Sequence, residues 1–152
     1  MRLFILTSSK FTIPRPLLCQ KVLDIIELGL RSAQIHFYIV GDHLPEPLVL
    51  LEQNTDAVTI IKEIAAERLI KEVTNASIIH FGANLKGSDP FPHYFIPLTH
   101  PSFSRGLSMI NKWSLSRNFK NYLKKSVATY AINDWATIFL KNKYKGYSTK
   151  IQ

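Results

Sequence analysis

Three apolar runs that do not alternate with polar residues constrain this chain more than any other feature. They are Leu3-Phe4-Ile5-Leu6, Ile35-His36-Phe37-Tyr38-Ile39-Val40 and Ser77-Ile78-Ile79-His80-Phe81. A strand with one wet face alternates between apolar and polar, whereas a continuous run is covered on both faces. Each run closes in a polar or glycine-bearing turn: Thr7-Ser8-Ser9, Gly41-Asp42 and Gly82. Helical patterns stand between them. Such alternation predicts an α/β fold, a single three-layer domain with a mostly parallel sheet.

The helical patterns are legible in part. Pro14 and Pro16 suit a first helical turn. Leu18, Val22, Leu23, Ile25 and Ile26 then share one side, against Gln20, Lys21, Asp24 and Glu27 on the other. Gly29 is expected to stop this helix. Pro45-Glu46-Pro47 reads as a loop, residues 48–61 fit no single pattern, and Val58-Thr59-Ile60-Ile61 suggests a short strand. Residues 62–73 and 105–125 read as helices, the second with Leu115, Phe119, Tyr122 and Leu123 as its core stripe. Residues 82–93 are rich in turn formers. Residues 95–100 form a strand that Pro97 keeps short or peripheral. An apolar run from Ser126, a polar pair Asn133-Asp134 and a last helix complete the chain, with Trp135 expected in the core.

Charge is unevenly placed. The net charge is +8, yet residues 105–152 hold ten Lys and Arg against Asp134 alone. Trp113, Arg117, Lys120 and Lys124 gather on one helical face. That face suits an anionic membrane surface, and its plainer reading is a solvated surface. Nucleic acid is disfavoured: interleaved aromatics are sparse, and no helix-turn-helix or RNA-recognition pattern is present. The single cysteine, Cys19, reads as a buried structural thiol and fits a reducing, cytoplasmic setting, with peripheral contact to the inner membrane face as an extension. The spacings of His80, His93 and His100 match no compact metal site. Asp42 and His43, adjacent after a strand, are expected to point apart.

In a parallel sheet the loops after the strands share one edge, where ligands bind. Those loops carry Ser8, Ser9 and Lys10, then Gly82 and Asn84, then His100, then Asn133. Residues 78–103 include Ile78-Ile79-His80-Phe81-Gly82 and Leu98-Thr99-His100-Pro101, and residues 127–144 include Ala131-Ile132-Asn133-Asp134-Trp135-Ala136-Thr137. Both patches resemble the N-terminal, acceptor-side domain of sugar-nucleotide glycosyltransferases built from two Rossmann domains (the GT-B architecture).

The resemblance implies a Rossmann-like domain over residues 1–152. It implies a nucleotide-sugar donor, no tightly bound cofactor, and a saccharide or lipid-linked acceptor. It makes His100 a sugar contact, with Ser8, Ser9, Lys10, Gly82, Asn84 and Asn133 around the substrate. The family's glycine pair after the first strand is missing here, which weakens phosphate contact by that loop. The family's C-terminal donor-binding domain is absent from these residues. A truncated chain, or half of a split enzyme with a partner chain, is therefore expected, and little activity alone. The alternative class is a non-catalytic binding or partner module that uses the basic last third.

Overall fold

The computed structural model describes residues 1–32 and 34–152. Six strands form one sheet: β1 (Arg2–Leu6), β2 (His36–Val40), β3 (Val58–Ile61), β4 (Ala76–His80), β5 (His93–Phe95) and β6 (Ala128–Thr129). They lie in the order β3-β2-β1-β4-β5-β6, and every neighbouring pair is parallel. Five helices accompany them: α1 (Arg15–Leu30), α2 (Glu46–Asn54), α3 (Glu63–Leu69), α4 (Met109–Lys125) and α5 (Asp134–Lys143). Short 3-10 turns lie at Pro101–Phe103 and Lys145–Lys150.

The continuous apolar runs have a direct cause. Successive strand residues point to opposite faces, yet Phe4 and Ile5 are both fully buried. Leu3, Ile5 and Ile39 pack with Val22 and Ile26 of α1 and Leu48 of α2. Phe4, Leu6 and Ile78 pack with Ala66 of α3 and Ile70 behind it. Helices thus cover both faces of the sheet, the three-layer arrangement of a Rossmann-like domain. Phe95 carries the core onward to Phe119 and Leu123 of α4 and Leu140 of α5.

Several local expectations change. Pro45-Glu46-Pro47 is not a loop but the start of α2, where prolines need no N–H partner. Gly29 does not end α1, which runs on to Leu30. A Cβ at Gly29 would lie 3.0 Å from Cε1 of Phe37, so the glycine admits the Phe37 ring beneath the helix. The fifth strand is His93–Phe95 rather than residues 95–100, so Pro97 falls beyond the ladder. That strand is internal, between β4 and β6. α4 starts at Met109, because Gly106 has φ +77° and Ser108 caps the helix by accepting from Asn111 N at 3.2 Å. β6 spans two residues, and Ile151 pairs alongside its Thr129.

Candidate functional site

All the strands are parallel, so the loops after them do meet one edge. The order reverses between β1 and β4, the position where such sheets open a crevice. Here the chain fills that crevice itself. Ser9 Oγ donates to the Phe81 carbonyl at 2.8 Å and accepts from Phe11 N at 3.0 Å. Lys10 N donates to the Gly82 carbonyl at 3.0 Å. Phe11 is buried with its ring 5.6 Å from Phe119 and 6.0 Å from Tyr122. Gly82 sits at φ +115°, and a Cβ there would lie 2.6 Å from Phe11 Cε2 and 2.9 Å from Ser9 Oγ. Its missing side chain makes room for Phe11.

The open space is displaced to the β1/β2 side, as a cavity of about 450 Å³. Ser8 and Ser9 line it, joined by Arg15 from the first turn of α1, Asp42 and His43 after β2, and Glu63 of α3. Ile13, Leu18, Leu44 and Leu48 supply apolar wall. Thr7 Oγ1 donates to the Val40 carbonyl at 2.8 Å, and a side chain on Gly41 would collide with that hydroxyl. His43 holds φ +54°, a left-handed conformation that histidine adopts more readily than most residues. Cys19 also lines this space; burial raises its thiol pKa, which keeps it protonated and inert.

What this cavity can bind follows from its donors and acceptors. A helix N-terminus usually offers several free N–H groups to an anion. Pro14 and Pro16 remove two of them at α1, leaving those of Arg15 and Leu17. Asp42 and Glu63 stand in the same wall and repel phosphate. Carboxylates and a serine hydroxyl instead suit the hydroxyl groups of a neutral polyol.

His100 belongs to a different cavity of about 130 Å³ beyond β5 and β6, walled by Leu98, Phe103, Phe119, Ile132, Phe139 and Leu140. Its Nδ1 accepts from Ser102 N at 3.0 Å, so Nε2 carries the proton and donates to Tyr144 Oη at 2.8 Å. Burial, reinforced by Lys143, lowers its pKa to about 4. Both ring nitrogens are thus engaged within the protein. Asn133 lines the same cavity and caps α5, its Oδ1 accepting from Ala136 N at 2.8 Å. Trp135 is not core: it is 61% exposed and stacks on Phe139 at 5.6 Å. Position two of a capped helix put it at the rim.

The basic residues form a third feature. Trp113, Arg117 and Lys120 of α4 face Lys143, Lys145 and Tyr147 across an open groove of about 830 Å³. Arg117 lies 5.8 Å from the Trp113 ring centre. Lys124 is outside the groove, and its carbonyl accepts from Lys150 Nζ at 3.1 Å. Lys143, Lys145 and Tyr147 escaped sequence reasoning because they lie at and beyond the end of α5, remote in sequence from α4.

The anticipated single cleft is therefore divided. Ser8 and Ser9 stand in one cavity, His100 and Asn133 in another, and Gly82 lies buried under Phe11. Lys10 and Asn84 are exposed and line neither. Among the described residues, no group of three or more His, Cys, Asp or Glu is arranged to hold a metal, and no helix is long and apolar enough to cross a membrane. No protein-family model matches the chain, and no curated protein matches it. The class the architecture itself defines is an α/β domain with an all-parallel Rossmann-like sheet.

Proposed function

We propose that this domain is the acceptor-side half of a nucleotide-sugar glycosyltransferase and holds a saccharide in the β1/β2 cavity. The observation that carries this reading is the cavity's lining: Ser8, Asp42 and Glu63 over an apolar wall of Ile13, Leu18 and Leu48. Carboxylates accept from sugar hydroxyls, and the wall packs against the C–H face of a ring. The prolines of α1 leave little for a diphosphate, so donor binding is assigned to a second domain or partner chain. The chain alone is expected to turn over no nucleotide sugar. Calorimetric titration with a panel of mono- and disaccharides tests the site. Asp42→Asn should weaken binding about tenfold, since a hydrogen bond to a charged group contributes roughly 1–1.5 kcal/mol more than one to a neutral amide. Saccharide affinity unchanged in this variant, or nucleotide-sugar hydrolysis by the chain alone, would sink the reading.

A lipid-linked acceptor lies at a membrane surface, and α4 supports such contact. Met109 is 87% exposed, Ile110 78% and Trp113 65%, with Lys112, Arg117 and Lys120 on the same helix. Apolar side chains beside lysine and arginine suit an anionic bilayer, to which each cation adds about 1 kcal/mol near the surface. Co-sedimentation with vesicles containing phosphatidylserine should be strong at low salt and lost in an Ile110→Ser/Trp113→Ser variant. Binding to neutral vesicles with equal affinity, or preferential binding to single-stranded DNA or RNA, would refute membrane contact.

A further inference from the structure

The saccharide cavity makes no use of the basic groove between α4 and the turn after α5. Arg117 and Lys120 enter this groove from α4, Lys143 from the last residue of α5 and Lys145 from the turn beyond, around an open space of about 830 Å³. Other cations of the region have internal partners. Lys125 pairs with Asp89 at 3.2 Å, and Lys150 donates to the Lys124 and Ser126 carbonyls at 3.1 and 2.9 Å. Both stand outside the groove. Among the described residues, none of the four groove cations has a carboxylate within 4.0 Å. A lysine in a last helical turn complements the helix dipole, which accounts for Lys143 of α5 and for Lys124 and Lys125 of α4. It does not account for Arg117 and Lys120, which precede the last turn of α4.

Cations drawn into one cleft repel one another until an anion enters. Among the described residues, no Asp or Glu lines the groove, whereas Asp42 and Glu63 stand in the β1/β2 cavity. Ser116 and Tyr147 add hydroxyl donors to its wall. Arg117 lies 5.8 Å from the Trp113 ring centre, a contact that restrains its guanidinium. The planar fork of a guanidinium matches two oxygens of one phosphate, and lysines add point charges beside it. A phosphate monoester carries about −1.5 to −2 at pH 7, so four cations match two phosphate groups rather than one.

We infer that this groove binds a diphosphate group, either free in solution or carried as a lipid headgroup. Calorimetry with inorganic pyrophosphate at fixed ionic strength tests it, with inorganic phosphate as the single-group probe. Pyrophosphate should bind about tenfold more tightly than phosphate. Lys120→Gln/Lys145→Gln should weaken pyrophosphate by about tenfold or more, and Lys120→Arg/Lys145→Arg should retain most of the affinity. Lys124→Gln/Lys141→Gln removes the same charge outside the groove and should leave pyrophosphate within about twofold of wild type. All four lysines are exposed, so these variants keep the core intact. Equal losses in the two glutamine pairs would show a diffuse positive field and overturn the inference. Equal affinity for pyrophosphate and phosphate, or no binding of either, also overturns it. Vesicles separate the two sources. Tighter binding to diacylglycerol diphosphate than to phosphatidylserine at equal surface charge, lost in Lys120→Gln/Lys145→Gln, assigns a lipid headgroup. Equal binding to the two lipids, with pyrophosphate bound in solution, assigns a free diphosphate. Pyrophosphate carries neither sugar nor acyl chain, so the groove is tested apart from the saccharide and membrane readings. Lost saccharide binding in a protein that still binds pyrophosphate overturns the acceptor site alone.

Discussion

Gly82→Val is expected to remove about 2–6 kcal/mol of stability, from a strained left-handed backbone and an overpacked contact of roughly 1–3 kcal/mol each. A domain has only about 5–15 kcal/mol in total. Gly82 holds φ +115°, and its absent side chain makes room for the Phe11 ring and Ser9 Oγ. The loop after β1 is anchored there by the Ser9 and Lys10 bonds to Phe81 and Gly82. The damage should therefore spread from β4 to the Ser8–Ser9 wall of the β1/β2 cavity. Urea denaturation gives the readout. Its midpoint should fall sharply in Gly82→Val and less in Gly82→Ala. In a Phe11→Ala background the steric share should largely vanish while the backbone share persists. A midpoint within error of wild type would show that the loop simply moves aside.

Acid should destabilise the fold through its buried histidines. Burial is the main cause that lowers three histidines. His80 falls to about 3, helped by His93 and Lys125, and His100 to about 4, helped by Lys143. His93 is lowered too, by burial and Lys125, against the opposing Ser88 carbonyl and Asp89. An unfolded histidine takes its proton near pH ~6.5. Between that pH and the depressed folded values, the unfolded chain binds more protons than the native one, so stability falls as pH falls. The stabilisation is complete above pH ~6.5, declines through pH ~4 and is lost for His80 near pH ~3. Each pKa unit is worth ~1.4 kcal/mol, so His80 and His100 together contribute several kcal/mol. Stability measured in urea should therefore drop steeply between pH 7 and about pH 4.5. His80→Phe keeps a ring to stack on Phe95, now 5.1 Å from the imidazole, and should flatten the slope. An unchanged slope would move the cause to other groups.

The sheet was the most legible part of this chain. Non-alternating runs such as Leu3-Phe4-Ile5-Leu6 report two covered faces without reference to their neighbours, and the strands that they mark are present. The helix from Glu46 was hidden because two prolines in three residues look like a loop until they are placed at a first turn. Gly29 misled for a related reason: the Phe37 ring that requires it comes from another element. The Asn133 cap is local, since that role depends only on the helix that follows. The sites were harder. Loop order places Ser8, Gly82 and His100 on one edge, but only packing reveals that Phe11 closes the space between them. The groove joins Lys120 to Lys143 across two helices, a proximity no local spacing encodes.

The position of β1 has a consequence for how the protein is made. β1 is the first strand in sequence but lies inside the sheet, with β2 on one side and β4 on the other. A ribosome reaches Ala76, the start of β4, about 70 residues after Leu6, which takes roughly 4–14 s at common synthesis rates. For that interval the most apolar strand of the protein has an open hydrogen-bonding edge. Such an edge invites pairing with any extended chain nearby. The nascent chain's hazard therefore lies in waiting for β4, before the β1/β2 cavity has its full surroundings.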